Sequence, residues 1–135
     1  MKAILLIMIG LSAIASDTVI DKTTGLMWQD NKEVETITKD WSGAKEYCED
    51  LTLSNYSDWR LPNVDELLSI ADITRKPLAI KKEFHYVTSN FYWSSSVSMT
   101  DSAQAWLVYF DDGGNFYFKR NRVYYVRCVR GSSRQ

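Results

Sequence analysis

Oxygen-bearing side chains are concentrated at two places in the second half of the chain, where they could support chemistry. Asp111, Asp112 and Asn115 flank a Gly-Gly pair and carry the oxygen ligands that calcium prefers. Calcium takes about six to eight such ligands, whereas a tight turn explains the same residues. Serines 94–96 could supply a nucleophile, but they lack a GxSxG pattern, and the only histidine is His85. Without a phosphate loop or an HExxH motif, the sequence does not indicate an enzyme.

Cys48 and Cys128 are the only cysteines of the chain. In an exported protein an even number of cysteines predicts a disulfide, and two cysteines allow one pairing. Such a bridge would close a loop of roughly 80 residues, for which chain entropy predicts about 4.5 kcal/mol of stabilisation. A catalytic thiol pair is the alternative, although CxxC spacing and a nearby histidine that would lower a thiol pKa are both absent.

The first residues contain the three parts of a secretory signal peptide. Lys2 supplies the charge, residues 3–11 are apolar, and Ala13-Ile14-Ala15 has a small-x-small cleavage pattern. The apolar run is shorter than the roughly 20 residues that span a bilayer, and a buried core helix is the alternative. We expect cleavage after Ala15, export to the periplasm, the cell surface or the medium, and one mature domain over residues 16–135.

Charge is distributed unevenly along the sequence. Between Asp17 and Asp72 there are thirteen acidic and five basic residues, whereas every charged residue after Asp112 is basic. This asymmetry is typical of a face that binds polyanions. The alternative interpretation is that the basic C-terminal strands pair with the acidic N-terminal half. No motif indicates nucleic-acid binding.

Aromatic residues offer a second sign of binding. Five tryptophans and eight tyrosines are more than the core of a small domain usually needs. Sugars present apolar faces that stack on such rings, and polar or charged neighbours bind their hydroxyl, sulfate or carboxylate groups. The expected ligand contacts are Lys119, Arg120, Arg122, Tyr117 and Trp93.

Residues 61–66 predict the start of a helix. Pro62 keeps Leu61 out of helical geometry, and Asn63 is a favoured N-cap. Glu66 follows three residues later, so that it can complete a capping box.

The preceding residues, Asp58, Trp59 and Arg60, are not explained by capping. Facing outward, they could stack on a ligand and pair with it. Facing inward, Trp59 would fill the core, while Asp58 and Arg60 would bind buried backbone or each other. The structural role is the favoured interpretation.

The pattern of elements is α+β, because helices come early and aromatic strands come late. Asp40 can cap a helix whose apolar positions, from Trp41 to Leu51, place Cys48 on the buried face. Short strands are predicted over residues 18–21 and 26–29. The later strands are predicted over residues 91–96, 105–110, 116–119 and 123–129, with a hairpin turn at residues 111–115.

Six motifs occur in order along the chain: TGLMW (24–28), Trp41 followed by Cys48, DWRLPNVDEL (58–67), YWSSS (92–96), AWLVYF (105–110) and VRCVRG (126–131). Together they resemble the Lcl C-terminal-domain family, named for the end domain of a bacterial collagen-like adhesin. The resemblance implies a fold like that of C-type lectins and formylglycine-generating enzymes, with two helices packed on a twisted antiparallel sheet. Such folds commonly have a cystine from the first helix to a late strand, which Cys48 and Cys128 could form.

The resemblance also implies a function, since the named adhesin is associated with sulfated glycosaminoglycans and with adhesion. This chain lacks a collagen-like repeat and the EPN or QPD tripeptide of calcium-dependent lectins. We expect an exported, non-catalytic binding module that recognises sulfated or uronic glycans and needs no cofactor. The alternatives are a structural subunit that binds an envelope protein, or an enzyme on the formylglycine-generating scaffold.

Overall fold

The computed structural model describes residues 16–132, so the predicted signal peptide at residues 1–15 lies outside the described residues. The strands are β1 (Thr18–Ile20), β2 (Met27–Gln29), β3 (Thr38–Lys39), β4 (Phe91–Val97), β5 (Gln104–Tyr109), β6 (Gly114–Lys119), β7 (Tyr124–Tyr125) and β8 (Val129–Arg130). The helices are α1 (Trp41–Glu49) and α2 (Val64–Ser69), with short 3-10 turns at Lys32–Glu35 and Ile73–Arg75. None of the helices within residues 16–132 is long and apolar enough to cross a bilayer.

The α+β architecture with two helices and one disulfide is confirmed. Asp40 caps α1 by accepting a hydrogen bond from the Gly43 amide at 2.9 Å. Asn63 and Glu66 form the predicted capping box of α2, with hydrogen bonds of 2.8 and 2.9 Å. Local sequence therefore fixes where both helices begin.

The strands form two sheets, which the sequence did not predict. The larger sheet has the order β3-β7-β4-β5-β6, and the smaller has the order β1-β2-β8. Neighbouring strands are antiparallel except β4 and β7, which are parallel.

The prediction of one closing strand over residues 123–129 is wrong. The segment instead contributes β7 to the larger sheet and β8 to the smaller one. Between them, Val126, Arg127 and Cys128 are fully buried as the chain passes from one sheet to the other.

Each face of the larger sheet covers a separate core. On one face α1 packs against Trp93 and Leu107, and the disulfide joins Cys48 to Cys128 with a Cα–Cα distance of 5.5 Å. On the other face Tyr92 and Val108 pack with residues of α2 and the smaller sheet. Successive strand residues point to opposite faces, so β4 supplies both cores. The middle of the sheet is buried on both sides, which leaves its edge and the uncovered part of one face for binding.

Candidate functional site

The side chains of residues 58–60 bind other segments of the domain rather than forming an open site. We call this arrangement the structural lock. Trp59 is 2% exposed, and its indole N–H donates to the Tyr56 carbonyl at 3.1 Å. Arg60 donates two hydrogen bonds to Glu66, both 2.8 Å long, and a third to the Gly131 carbonyl. The bond with Glu66 raises the pKa of Arg60. The side chain thus ties the start of α2 to the segment that follows β8.

Asp58 completes the lock from the surface. It accepts hydrogen bonds of 2.6 and 3.0 Å from Arg130, which lower the pKa of the Asp58 carboxyl. Asp58 therefore binds Arg130, and Arg60 binds Glu66 and Gly131, so the Asp58 and Arg60 side chains do not pair with each other.

The basic residues after Asp112 divide into two groups. Arg127 is fully buried, donates to the Gln29 carbonyl at 2.6 Å and lies 3.4 Å from Asp30. Burial lowers the pKa of Arg127. Arg127 and Arg130 thus pair with the acidic N-terminal half. In contrast, Lys119, Arg120 and Arg122 form no ion pair with any carboxylate of residues 16–132.

Arg120 is held in place by a tryptophan. Its guanidinium lies 4.0 Å from the centre of the Trp41 ring and donates to the Ser102 carbonyl at 3.0 Å. The Lys45 ammonium lies 4.7 Å from the same ring. An arginine stacked in this way keeps its charge in a fixed position, with less side-chain entropy to lose on binding.

A shallow cavity of about 480 Å³ opens beside this arginine and is lined by Asp40, Ser42, Ala103, Lys119, Arg120 and Asn121. Lys39 precedes Asp40 in the sequence and lines another cavity, together with Glu46 and Asp50. We give the name basic patch to five cations that form no ion pair with a carboxylate of residues 16–132: Lys119 and Arg120 of the first cavity's lining, together with Lys39, Lys45 and Arg122.

Next to the basic patch, the face of the larger sheet that α1 leaves uncovered carries five rings. We call these the aromatic surface: Phe91, Tyr109, Phe116, Phe118 and Tyr124. Phe91 stacks on Tyr109 at 4.4 Å between ring centres and contacts the other three edge to face. Phe116 is 40% exposed, and the other rings are half-buried.

Arg122 joins the two features. Its guanidinium lies 5.5 Å from the centre of the Phe118 ring and 3.5 Å from the Tyr124 hydroxyl. The aromatic surface and the basic patch are therefore continuous.

Two residues expected to stack on a ligand are placed elsewhere. Trp93 is fully buried, and its indole N–H donates to the Lys39 carbonyl at 2.9 Å, so the expectation that it contacts a ligand is wrong. Tyr117 is 46% exposed, but it projects from the opposite face of β6, where it meets Trp106 edge to face. Lys119 alternates to the same side of the strand as Tyr117.

The other candidate groups form local structure. Asp112 accepts a hydrogen bond from the Gly114 amide at 2.8 Å, and Asp111 accepts one from Ser89 at 2.6 Å, as turn residues do. Ser94 is buried and donates to the Trp106 carbonyl. The Nδ1 of His85 lies 3.5 Å from the Asp30 carboxylate. Within residues 16–132 no group of three His, Cys, Asp or Glu side chains is arranged to hold a metal ion.

A family model for the Lcl C-terminal domain matches residues 17–130. The chain belongs to that family. The match extends over both sheets, both helices and the disulfide of this Lcl C-terminal domain. Membership suggests a non-enzymatic, adhesin-like domain. No curated protein matches the chain in sequence.

Several residues of the site in this Lcl C-terminal domain were not singled out from its sequence. Phe116 and Phe118 were assigned to a strand but not to a binding surface, although their alternation with Tyr117 places them on the other face. Lys39 and Lys45 reach the basic patch from a distant part of the chain, and no local pattern links them to Arg120.

Proposed function

We propose that this Lcl C-terminal domain is an exported, non-catalytic module that binds sulfated or uronic polysaccharide at the cell envelope. The observation that supports this most strongly is the contact between unpaired cations and a half-exposed aromatic surface, made by Arg122 with Phe118 and Tyr124. Acidic glycans combine anionic substituents with apolar ring faces, so a ligand of this class matches both features.

Each part of the site has a distinct role in the proposal. Arg120 and Arg122 bind sulfate or carboxylate groups, for which the planar guanidinium offers paired donors. Lys119 and Lys45 add positive charge that attracts a polyanion at long range. Phe116 stacks on a sugar ring.

The disulfide supports the proposal in two ways. Disulfides persist in oxidising compartments, which agrees with export. An enzyme on the formylglycine-generating scaffold would need reactive thiols, whereas Cys48 and Cys128 are bonded and fully buried.

Heparin affinity chromatography of the mature protein tests the role of the basic patch. Replacing Lys119 and Arg122 with Ala removes two unpaired cations of the patch. Replacing Lys76 and Lys82 with Ala removes the same charge from exposed positions elsewhere. At about 0.2–1 kcal/mol for each exposed charge contact, the first variant should bind heparin roughly 2- to 30-fold more weakly. Equal elution of both variants would contradict the proposal.

Replacements of Phe116 and Tyr117 test the aromatic surface, because the two rings are adjacent, similarly exposed and on opposite faces. We expect Phe116→Ala to weaken binding of a heparin oligosaccharide in calorimetry and Tyr117→Ala to leave it unchanged. A larger loss with Tyr117→Ala would move the site to the other face of the sheet.

A further inference from the structure

Strand β6 is the outer strand of the larger sheet. The described residues place β5 on one side of it and no strand on the other. Its register with β5 is continuous from Gln104↔Lys119 to Tyr109↔Gly114. An edge of this kind presents unpaired backbone donors and acceptors to any strand that approaches.

The backbone groups that point outward can be identified. The Arg120 amide donates to the Ala103 carbonyl at 2.9 Å, so Arg120 and Ala103 form a hydrogen-bonded pair. The Ala105↔Phe118 pair lies two residues further along both strands. In an antiparallel ladder such groups alternate, so Phe116 and Phe118 exchange hydrogen bonds with β5. The N–H and C=O groups of Asn115 and Tyr117 therefore point away from the sheet.

The central residues of this edge also lack the features that commonly prevent strand addition, and Lys119 at its end is the one charged residue of β6. Charged side chains, proline, bulges and short length are the usual forms of protection. Residues 115–118 read NFYF, with no charge and no proline, and their pairing with β5 shows no bulge. Phe116 on one face and Tyr117 on the other are 40% and 46% exposed.

The charges at the two ends of the strand indicate what pairs with it. Asp111 and Asp112 precede β6, whereas Lys119, Arg120 and Arg122 come at its end. We propose that β6 pairs antiparallel with β6 of a second copy of this chain, so that the larger sheet continues across both copies. This arrangement places the acidic turn of each copy on the same side as the basic end of the other, so that charge attraction favours antiparallel pairing of the two strands over parallel pairing.

Symmetry and hydrogen bonding select the register. A two-fold axis normal to the sheet keeps equivalent faces on the same side, so residues opposite each other must share a face. With Phe116 opposite its own copy, Asn115 pairs with Tyr117 and uses the outward groups of both residues. A register centred on Tyr117 would instead need the Lys119 carbonyl, which already accepts from the Arg122 amide at 3.1 Å.

The dimer brings the aromatic surfaces of both copies onto one continuous face. Two binding sites on one particle raise the avidity for a repeating polymer without any new contact to it. Because a single edge buries little area, we expect a dimer that dissociates on dilution.

Sedimentation velocity of the mature protein, from about 5 µM to about 1 mM, tests the pairing. We expect the mass to rise toward that of a dimer. Tyr117→Pro removes an outward N–H and leaves the ladder with β5 intact, so it should remain monomeric. Tyr117→Ala keeps the N–H and should still dimerise. A wild-type protein that stays monomeric, or a Tyr117→Pro variant that dimerises as well as the wild type, would overturn the proposal.

If Tyr117→Pro does not fold, cysteine cross-linking tests the pairing of β6 between two copies. In the proposed register Phe116 forms a non-hydrogen-bonded pair with its copy, with Cα atoms about 4.5 Å apart, which a disulfide can span. Val97 is equally exposed at 40% and lies away from this edge. On mild oxidation Phe116→Cys should form covalent dimers at least about tenfold faster than Val97→Cys. Equal rates would rule out the β6 pairing.

Discussion

Replacing Arg60 with Met tests whether residues 58–60 act as a lock. The change removes two hydrogen bonds to Glu66 and one to Gly131. The Glu66 side chain is only 10% exposed, so water cannot fully replace the guanidinium that its carboxylate loses. Hydrogen bonds to a charged group contribute about 1.5–3 kcal/mol, and losing one partner leaves the other poorly solvated.

Solvent reduces this cost, because the Arg60 side chain is 39% exposed. We therefore expect Arg60→Met to lower the free energy of unfolding by about 2.5 kcal/mol. At about 2.1 cal/mol/K for each residue of the described domain, this corresponds to a decrease in Tm of about 10 °C. Urea unfolding followed by tryptophan fluorescence measures the free energy, and calorimetry measures Tm.

The effect of Glu66→Gln on stability should have opposite signs in the wild type and in the Arg60→Met variant, which makes the test specific. In the wild type, Glu66→Gln removes the charge that binds Arg60 and should destabilise the protein. In the Arg60→Met variant the same change removes a carboxylate that no longer has the Arg60 guanidinium beside it. It should restore part of the stability, because Gln can still accept from the Asn63 amide. Arg130→Met, which loses an exposed pair with Asp58, is the control and should cost less. If Glu66→Gln destabilises both backgrounds equally, the lock does not exist.

Three further predictions concern the disulfide and two titrating groups. Replacing Cys48 and Cys128 with Ala opens a loop with a sequence separation of 80. The free energy of unfolding, measured with urea, should decrease by about 4.5 kcal/mol, and a decrease below about 1 kcal/mol would contradict this. Burial raises the pKa of Tyr92 to about 12, so stability should hold up to about pH 10 and fall between pH 10 and 12. Tyr92→Phe should flatten this decrease, and an unchanged slope would exclude Tyr92 as its source. Burial alone would raise the pKa of Asp21, but hydrogen bonds from Lys81, Thr24 and Thr23 outweigh it and lower the pKa. The stability from Asp21 should therefore be present above about pH 4 and be lost below it, and an Asp21→Asn variant as acid-sensitive as the wild type would refute this.

The helix starts and the disulfide could be predicted because they follow from local or combinatorial rules. Asn63 and Glu66 are three residues apart, and this spacing alone determines the capping box. With only Cys48 and Cys128 present, there was a single pairing to choose.

The division of the closing segment could not be predicted, since residues 123–129 form one continuous run of strand-forming residues. The chain passes from one sheet to the other at Arg127. The Arg127 side chain donates to the carbonyl of Gln29, 98 residues away in sequence, and to that of Tyr86, 41 residues away. Partners at such distances leave no periodic signal.

The basic residues of the proposed site were easier to single out from the sequence than its aromatic residues. Charge clustering alone singles out Lys119, Arg120 and Arg122. The burial of Trp93 follows from the position of β4 inside the larger sheet, which depends on the parallel pairing with β7. Which aromatic face remains open depends on where α1 ends, and the sequence of β6 does not contain that information.

The segment from Tyr124 to Arg130 has a consequence for how the domain is made. It completes both sheets, and it carries one sulfur of the cystine. A nascent chain that has not yet reached these residues holds two incomplete sheets and an unpaired thiol. Contacts between distant parts of a chain also form slowly. The domain should therefore stay unstructured through most of its synthesis and acquire its fold only after these last residues emerge.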